Sequence, residues 1–96
     1  MASRCSQFEF TCAILKEGKQ FIGICLDLDV ASQGRTVRQV RQMLAEAVTL
    51  YLESCFENNI PPLRPVPRSE DPRYKASPDL VQLFSLKADF SVRAVA

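Results

Sequence analysis

Ninety-six residues, just under half apolar and a quarter charged, suffice for one hydrophobic core and not for two. A net charge of +1 argues against a general nucleic-acid binder, because such domains carry a strong basic excess. Met1–Ser6 has no apolar run after Arg4, so no signal peptide is expected. Apolar stretches such as Phe21–Leu28 are too short to span a bilayer, and a soluble cytoplasmic protein is the expectation.

Gln7–Leu28 reads as a β-hairpin. Phe8, Phe10, Cys12 and Ile14 alternate with Glu9, Thr11 and Ala13, and Ile22, Ile24, Leu26 and Leu28 form a matching series on the return strand. The turn falls at Glu17-Gly18-Lys19, where Gly18 can take a positive φ. A three-residue loop pairing Lys16 with Gln20 sets Ile14 opposite Ile22, Cys12 opposite Ile24, Phe10 opposite Leu26 and Phe8 opposite Leu28. All eight then share one face. The other face carries Thr11, Ala13, Leu15, Phe21, Gly23 and Cys25. One helix cannot cover both faces, so Leu15, Phe21 and Cys25 are expected to form an interaction face.

Val30–Gly34 reads as a short strand or strand-like link. Gly34 stops it, and Thr36 is suited to cap a helix. From Val37 the period becomes helical, through Val40, Leu44, Ala47, Val48, Tyr51, Leu52, Cys55 and Phe56. Asn58 and Asn59 can end the helix in the left-handed region, and Pro61-Pro62 prevent its continuation. Charge on this helix opposes the macrodipole. Arg35, Arg38 and Arg41 crowd its start, while Glu46, Glu53 and Glu57 lie towards its end. A solvated face that tolerates small costs explains the pattern; so does a partner whose charge compensates it, which makes the three arginines candidate partner contacts.

Residues 61–79 hold all six prolines, interleaved with Arg64, Arg68, Arg73, Lys75, Glu70, Asp71 and Asp79, and read as a functional loop or a linker. The last segment, 83–95, alternates again: Phe84, Leu86, Ala88, Phe90, Val92 and Ala94 point one way.

Chemistry-bearing constellations are sparse. Histidine is absent, which removes His-based general bases and triads. Cys5, Cys12, Cys25 and Cys55 form no C-x-x-C pair; Cys12, Cys25 and Cys55 read as small apolar core residues, and neither a metal nor a cofactor is expected. Asp27 and Asp29 straddle Leu28 without a third ligand nearby. The acids available for a nuclease site on a β-β-β-α-β sheet are Glu9, Glu46 and Asp89. Glu9 falls on the face away from the helix, so they are not expected to converge. The chain reads as a non-enzyme.

The run Ile24-Cys25-Leu26-Asp27-Leu28-Asp29-Val30-Ala31-Ser32-Gln33-Gly34-Arg35-Thr36 resembles the strand, link and helix start of HicB-like antitoxin domains. Ala45-Glu46-Ala47-Val48-Thr49-Leu50-Tyr51-Leu52-Glu53 resembles that family's Glu-Ala-x-x-Leu-Tyr-Leu-Glu stretch, and Ile60-Pro61-Pro62 with Pro65-Val66-Pro67 its proline-rich exit. The resemblance spans about half the chain. It implies a partial ribonuclease H-like fold without the nuclease site, and a protein that sequesters a small HicA-type mRNA-cleaving toxin. Where the family often has Glu-Ala near the helix start, this chain has Arg38-Gln39-Val40. Nothing after Pro67 reads as the family's DNA-binding domain, so no specific DNA binding by the chain itself is expected.

The expected fold is α+β: a single domain in the order β-β-β-α-β, with a mostly antiparallel sheet of three or four strands and one long helix on one face. The expected function is a protein-binding module of the antitoxin kind, assembled as a homodimer or higher even oligomer. The rival reading is a stand-alone oligomeric interaction protein with no toxin partner.

Overall fold

A computed structural model of the chain describes residues 5–91, with side chains described for residues 8–88. Gly18 makes the first reversal. It sits at φ 61 as the first of two turn residues, the position where a type II′ hairpin requires a positive φ. The turn joins β1 (Cys5–Glu17) to β2 (Gln20–Cys25). A second tight reversal through Leu26–Asp29 leads to β3 (Val30–Gly34); the Asp29 amide donates to the Cys25 carbonyl at 2.8 Å, with Asp29 itself at φ 54. After the helix α1 (Val37–Glu57) and the proline-rich stretch, β4 (Leu80–Ser91) returns alongside β1. The sheet is antiparallel throughout in the order β3-β2-β1-β4, and the helix packs on one face of it. The α+β fold expected from the sequence is therefore observed, with four strands.

The hairpin register is not the expected one. Glu17 pairs with Gln20, so the loop has two residues, and Cys12 stands opposite Cys25, Ile14 opposite Gly23 and Leu15 opposite Ile22. β1 keeps its expected faces, but β2 is turned over relative to the expectation, because side chains alternate with period two. Phe21, Gly23 and Cys25 lie on the helix side, while Ile22 and Ile24 lie on the other. β2 also ends at Cys25, and Leu26 and Leu28 are buried from within the turn rather than from a strand.

The reason is close packing. A Cβ on Gly23 would stand 2.6 Å from Val40 Cγ1, so α1 approaches the sheet where β2 has no side chain. Val40, Leu44, Val48 and Leu52 form one buried i,i+4 stripe; Val40 sits over Gly23, and Leu44, Val48 and Leu52 pack with Phe10, Cys12, Cys25 and Leu28. From β4, Phe84, Leu86 and Ala88 pack against the same core, as their alternation predicts. β4 begins at Leu80, earlier than the expected 83. The expected strand beyond Ser91 lies outside the described residues.

Both helix ends follow the sequence signals. Thr36 Oγ1 accepts the Gln39 amide at 3.0 Å, and Gln39 Oε1 accepts the Arg35 amide at 2.8 Å, a reciprocal cap that satisfies two donors. At the far end the Ile60 amide donates to the Cys55 carbonyl and the Asn59 amide to the Phe56 carbonyl, with Asn59 at φ 55: a Schellman motif. Thr36→Ala is expected to cost about 1 kcal/mol, the usual value of an N-cap. Urea unfolding should show a lower midpoint at unchanged slope. An unmoved midpoint would show that the cap contributes nothing.

The proline-rich stretch is pinned at several points. The Val66 amide donates to the Leu26 carbonyl and the Arg64 amide to the Asp27 carbonyl, the Tyr51 hydroxyl donates to the Pro62 carbonyl, and the Lys16 amide donates to the Asp79 carbonyl. Between these anchors Asp71 is 2% exposed and grips Arg73, with Arg73 Nη2 donating to Oδ2 at 2.7 Å.

Candidate interaction surface

Two hydrogen bonds fix which way the strand backbones point. The Thr11 carbonyl accepts from Leu26 on the β2 side, and the Lys16 amide donates to Asp79 on the β4 side. By alternation, Cys12 and Ile14 hydrogen-bond towards β4. Their partners Phe84 and Gln82 then point inward, and Leu83, Ser85 and Lys87 direct N–H and C=O outward from the sheet edge. The same phase makes Cys12↔Cys25 a non-hydrogen-bonded pair on β1–β2, the closer kind, at about 4.5 Å between Cα atoms. The hydrogen bond with Cys25, together with burial, raises the Cys12 thiol above its ordinary range. Cys12, Cys25 and Cys55 are buried free thiols, as read from the sequence; the Cys5 side chain lies outside those described.

The face away from the helix carries Ala13, Leu15, Ile22 and Ile24, continued by Leu83 on β4. Ala13 is fully buried between its larger cross-strand neighbours Ile24 and Leu83, while Leu15, Ile22 and Ile24 are half-buried. A shallow cavity of about 360 Å³ runs between Leu15, Ile22 and Ile24 and ends at Asp79. A second, of about 500 Å³, lies at the β3 edge beside Ile22, Ala31, Gln33 and Met43. Glu9 and Lys87 face each other across β1 and β4 on the outer part of this face.

Of the expected interaction face, Leu15 stands where it was placed. Cys25 does not: it has no exposed surface and belongs to the core under Leu44 and Val48. Phe21 also lies on the helix side, half-buried, with Lys16 Nζ 5.6 Å from its ring centroid. Ile22 and Ile24 take their places. The missed signal was Gly23 between two isoleucines, because a glycine in a strand marks close approach of another element.

The three arginines differ from one another. Arg41 lies over the Phe84 ring, 4.6 Å from its centroid, and so has a partner within the chain. Arg35 uses its backbone amide in the helix cap, and Arg38 is exposed. The first turn of α1 has no acidic residue and the last no basic one, as read from the sequence. Glu9 and Glu46 lie on opposite sides of the sheet, since Glu9 shares a face with Ala13 and Glu46 is exposed on the helix. Among the described residues no three His, Cys, Asp or Glu side chains come together as metal ligands, and no helix is long and apolar enough to cross a membrane.

No family model matches this chain, and neither a curated protein nor a solved structure matches it.

Proposed function

We propose that this chain is a non-catalytic protein-binding module of the HicB antitoxin kind, self-associating and able to sequester a small RNA-cleaving toxin of the HicA type. The observation that carries this reading is the apolar face of Leu15, Ile22 and Ile24, half-buried and turned away from the only α-helix among the described residues. Apolar faces of this sort on small domains mark sites of protein contact. The segments that resemble the family also support it, because they meet in space. The strand-end turn Leu26–Asp29 receives the proline-rich exit through the Arg64 and Val66 amides, and Arg64 Nε reaches the Leu28 carbonyl at 3.3 Å. A stand-alone oligomeric module with no toxin is the second reading, favoured by the same face and by the outer edge of β4, which pairs with no further strand among the described residues.

The test is inhibition. A small, basic, histidine-containing RNA-cleaving protein encoded beside this chain should lose activity when the chain is added in equimolar amount. Ile24→Asp should weaken that inhibition by at least an order of magnitude, in keeping with loss of an interface anchor worth about 2 kcal/mol. The chain alone, given RNA and Mg²⁺, should show no turnover. Failure to inhibit at large excess would leave the stand-alone reading, and turnover abolished by Glu9→Gln would overturn the non-catalytic one.

A further inference from the structure

We propose that Cys12 and Cys25 form a peroxide-responsive dithiol, closing inside the core to a disulfide that ties β1 to β2. The two residues are cross-strand partners in register. Two observations make them a non-hydrogen-bonded pair. Glu17 and Gln20 flank the tight turn as a hydrogen-bonded pair, and alternation from there reaches Cys12 and Cys25 in the other phase. The Leu26 amide donates to the Thr11 carbonyl, so the position just beyond is hydrogen-bonded again. Cα atoms in a non-hydrogen-bonded pair stand about 4.5 Å apart, within the span of about 4.4–6.8 Å that a disulfide bridges. Both side chains enter one core cluster with Leu44 and Val48, and both are free thiols with no exposed surface. Cys55 supplies the contrast. It too is buried and free, but it stands on α1, and its hydrogen-bonding neighbour is Tyr51.

The step is a two-electron oxidation, and the oxidant is hydrogen peroxide, which is close to water in size. The Cys12 thiol donates a hydrogen bond to Cys25, which lowers the Cys25 thiol from its ordinary range and makes it the sulfur that ionises. The Cys25 thiolate attacks one peroxide oxygen. The O–O bond breaks, the S–O bond of a sulfenic acid forms, and the departing hydroxide takes up the Cys25 proton as water. The Cys12 sulfur then attacks the Cys25 sulfur. The S–S bond forms, the S–O bond breaks, and hydroxide leaves with the Cys12 proton as a second water. Burial sets the pace, because a thiol that oxidant cannot reach is inert. Cys25 is the last residue of β2 and adjoins the Leu26–Asp29 turn, and strand ends open locally before the fold opens as a whole. The reaction runs through such openings. The finished link then resists them, because it closes the chain from Cys12 to Cys25 into a ring and removes conformations from the unfolded state. Oxidation thus clamps the hairpin that bears Leu15, Ile22 and Ile24, whether or not a toxin binds there.

Peptide mapping of the folded, reduced chain after exposure to hydrogen peroxide tests this, with unreacted thiols blocked by iodoacetamide in denaturant. Cleavage at Glu9, Lys16 and Lys19 separates the peptides that carry Cys5, Cys12 and Cys25. The Cys12 and Cys25 peptides should be joined, two hydrogens lighter than their sum, and dithiothreitol should release them. Cys55 should stay free. The urea midpoint should shift upward on oxidation and return with reductant. Cys55→Ala should keep that shift and Cys25→Ala should lose it. A chain whose thiols all stay free would overturn the proposal. So would a link that forms only in urea, a link from either residue to another cysteine, or a Cys25 sulfinic acid in place of the disulfide. An oxidised chain with an unmoved or lower midpoint would overturn the clamp. If Cys25→Ala were to unfold the chain, the mapping of the wild type would still decide the question.

Discussion

Gly23→Ala is expected to destabilise the fold by about 2–3 kcal/mol, the upper part of the usual range for overpacking a close-packed core. The added Cβ would lie 2.6 Å from Val40 Cγ1 and 3.4 Å from Leu44 Cδ2. Val40 cannot swing away easily, because a β-branched side chain in a helix has one strongly preferred χ1. The helix must then lift from β2, and the Leu44 and Val48 contacts with Cys12 and Cys25 loosen with it. The lower chain entropy of alanine in the unfolded state offsets only about 0.4–1 kcal/mol. Val40→Ala removes the clashing methyls, so the double variant should be more stable than the sum of the two single losses by about 1 kcal/mol or more. Gly18→Ala is the control. No atom lies within 4 Å of its added Cβ, so only its positive φ is strained. Urea midpoints for the four variants decide it. Additive losses at Gly23 and Val40 would show that the two positions do not touch as described.

The same contact explains what could be read from the sequence and what could not. Thr36, Asn59 and the 40-44-48-52 stripe were legible because each depends on local chemistry: a cap, a left-handed residue, a helical period. β1 and β4 were legible because each has one clearly apolar face. β2 is apolar on both faces, Phe21 and Cys25 on one and Ile22 and Ile24 on the other. A preference for the larger side chains in the core chose the isoleucines. Gly23 decides otherwise, since the helix needs a gap to seat Val40, and Gly18 decides it again by suiting a two-residue turn. A one-residue change in loop length reversed one strand and moved the candidate surface from Phe21 and Cys25 to Ile22 and Ile24. The proline-rich stretch was illegible for another reason: its order comes from long-range backbone hydrogen bonds to Leu26, Asp27 and Lys16, which leave no periodic trace.

That stretch should fail first in acid, through Asp71. Its carboxylate accepts the Arg73 amide at 2.8 Å and the Arg73 guanidinium at 2.7–3.1 Å, and its own carbonyl accepts the Tyr74 and Lys75 amides, closing the turn that follows. The Arg73 hydrogen bonds hold the Asp71 carboxyl below the usual carboxylate range, against the opposing effect of burial. A pKa depressed in the folded state means a contribution that is fully present above the unfolded value of about 3.9 and is lost as pH falls through the folded one. Arg73 is one-third exposed, so solvent screens part of the pairing. Asp71→Ala is therefore expected to cost about 1.5 kcal/mol at pH 7, the low end for hydrogen bonds to a charged group. The gap between wild type and Asp71→Ala should narrow steadily as pH falls below about 4, because protonated Asp71 no longer holds Arg73 as an ion pair. Arg73→Ala should cost a similar amount at neutral pH, and adding it to Asp71→Ala should cost little more, since the two side chains serve one contact. Urea midpoints measured from pH 7 to pH 3 test this directly. A wild-type advantage over Asp71→Ala that is as large at pH 3 as at pH 7 would show that the turn is held by its backbone hydrogen bonds alone.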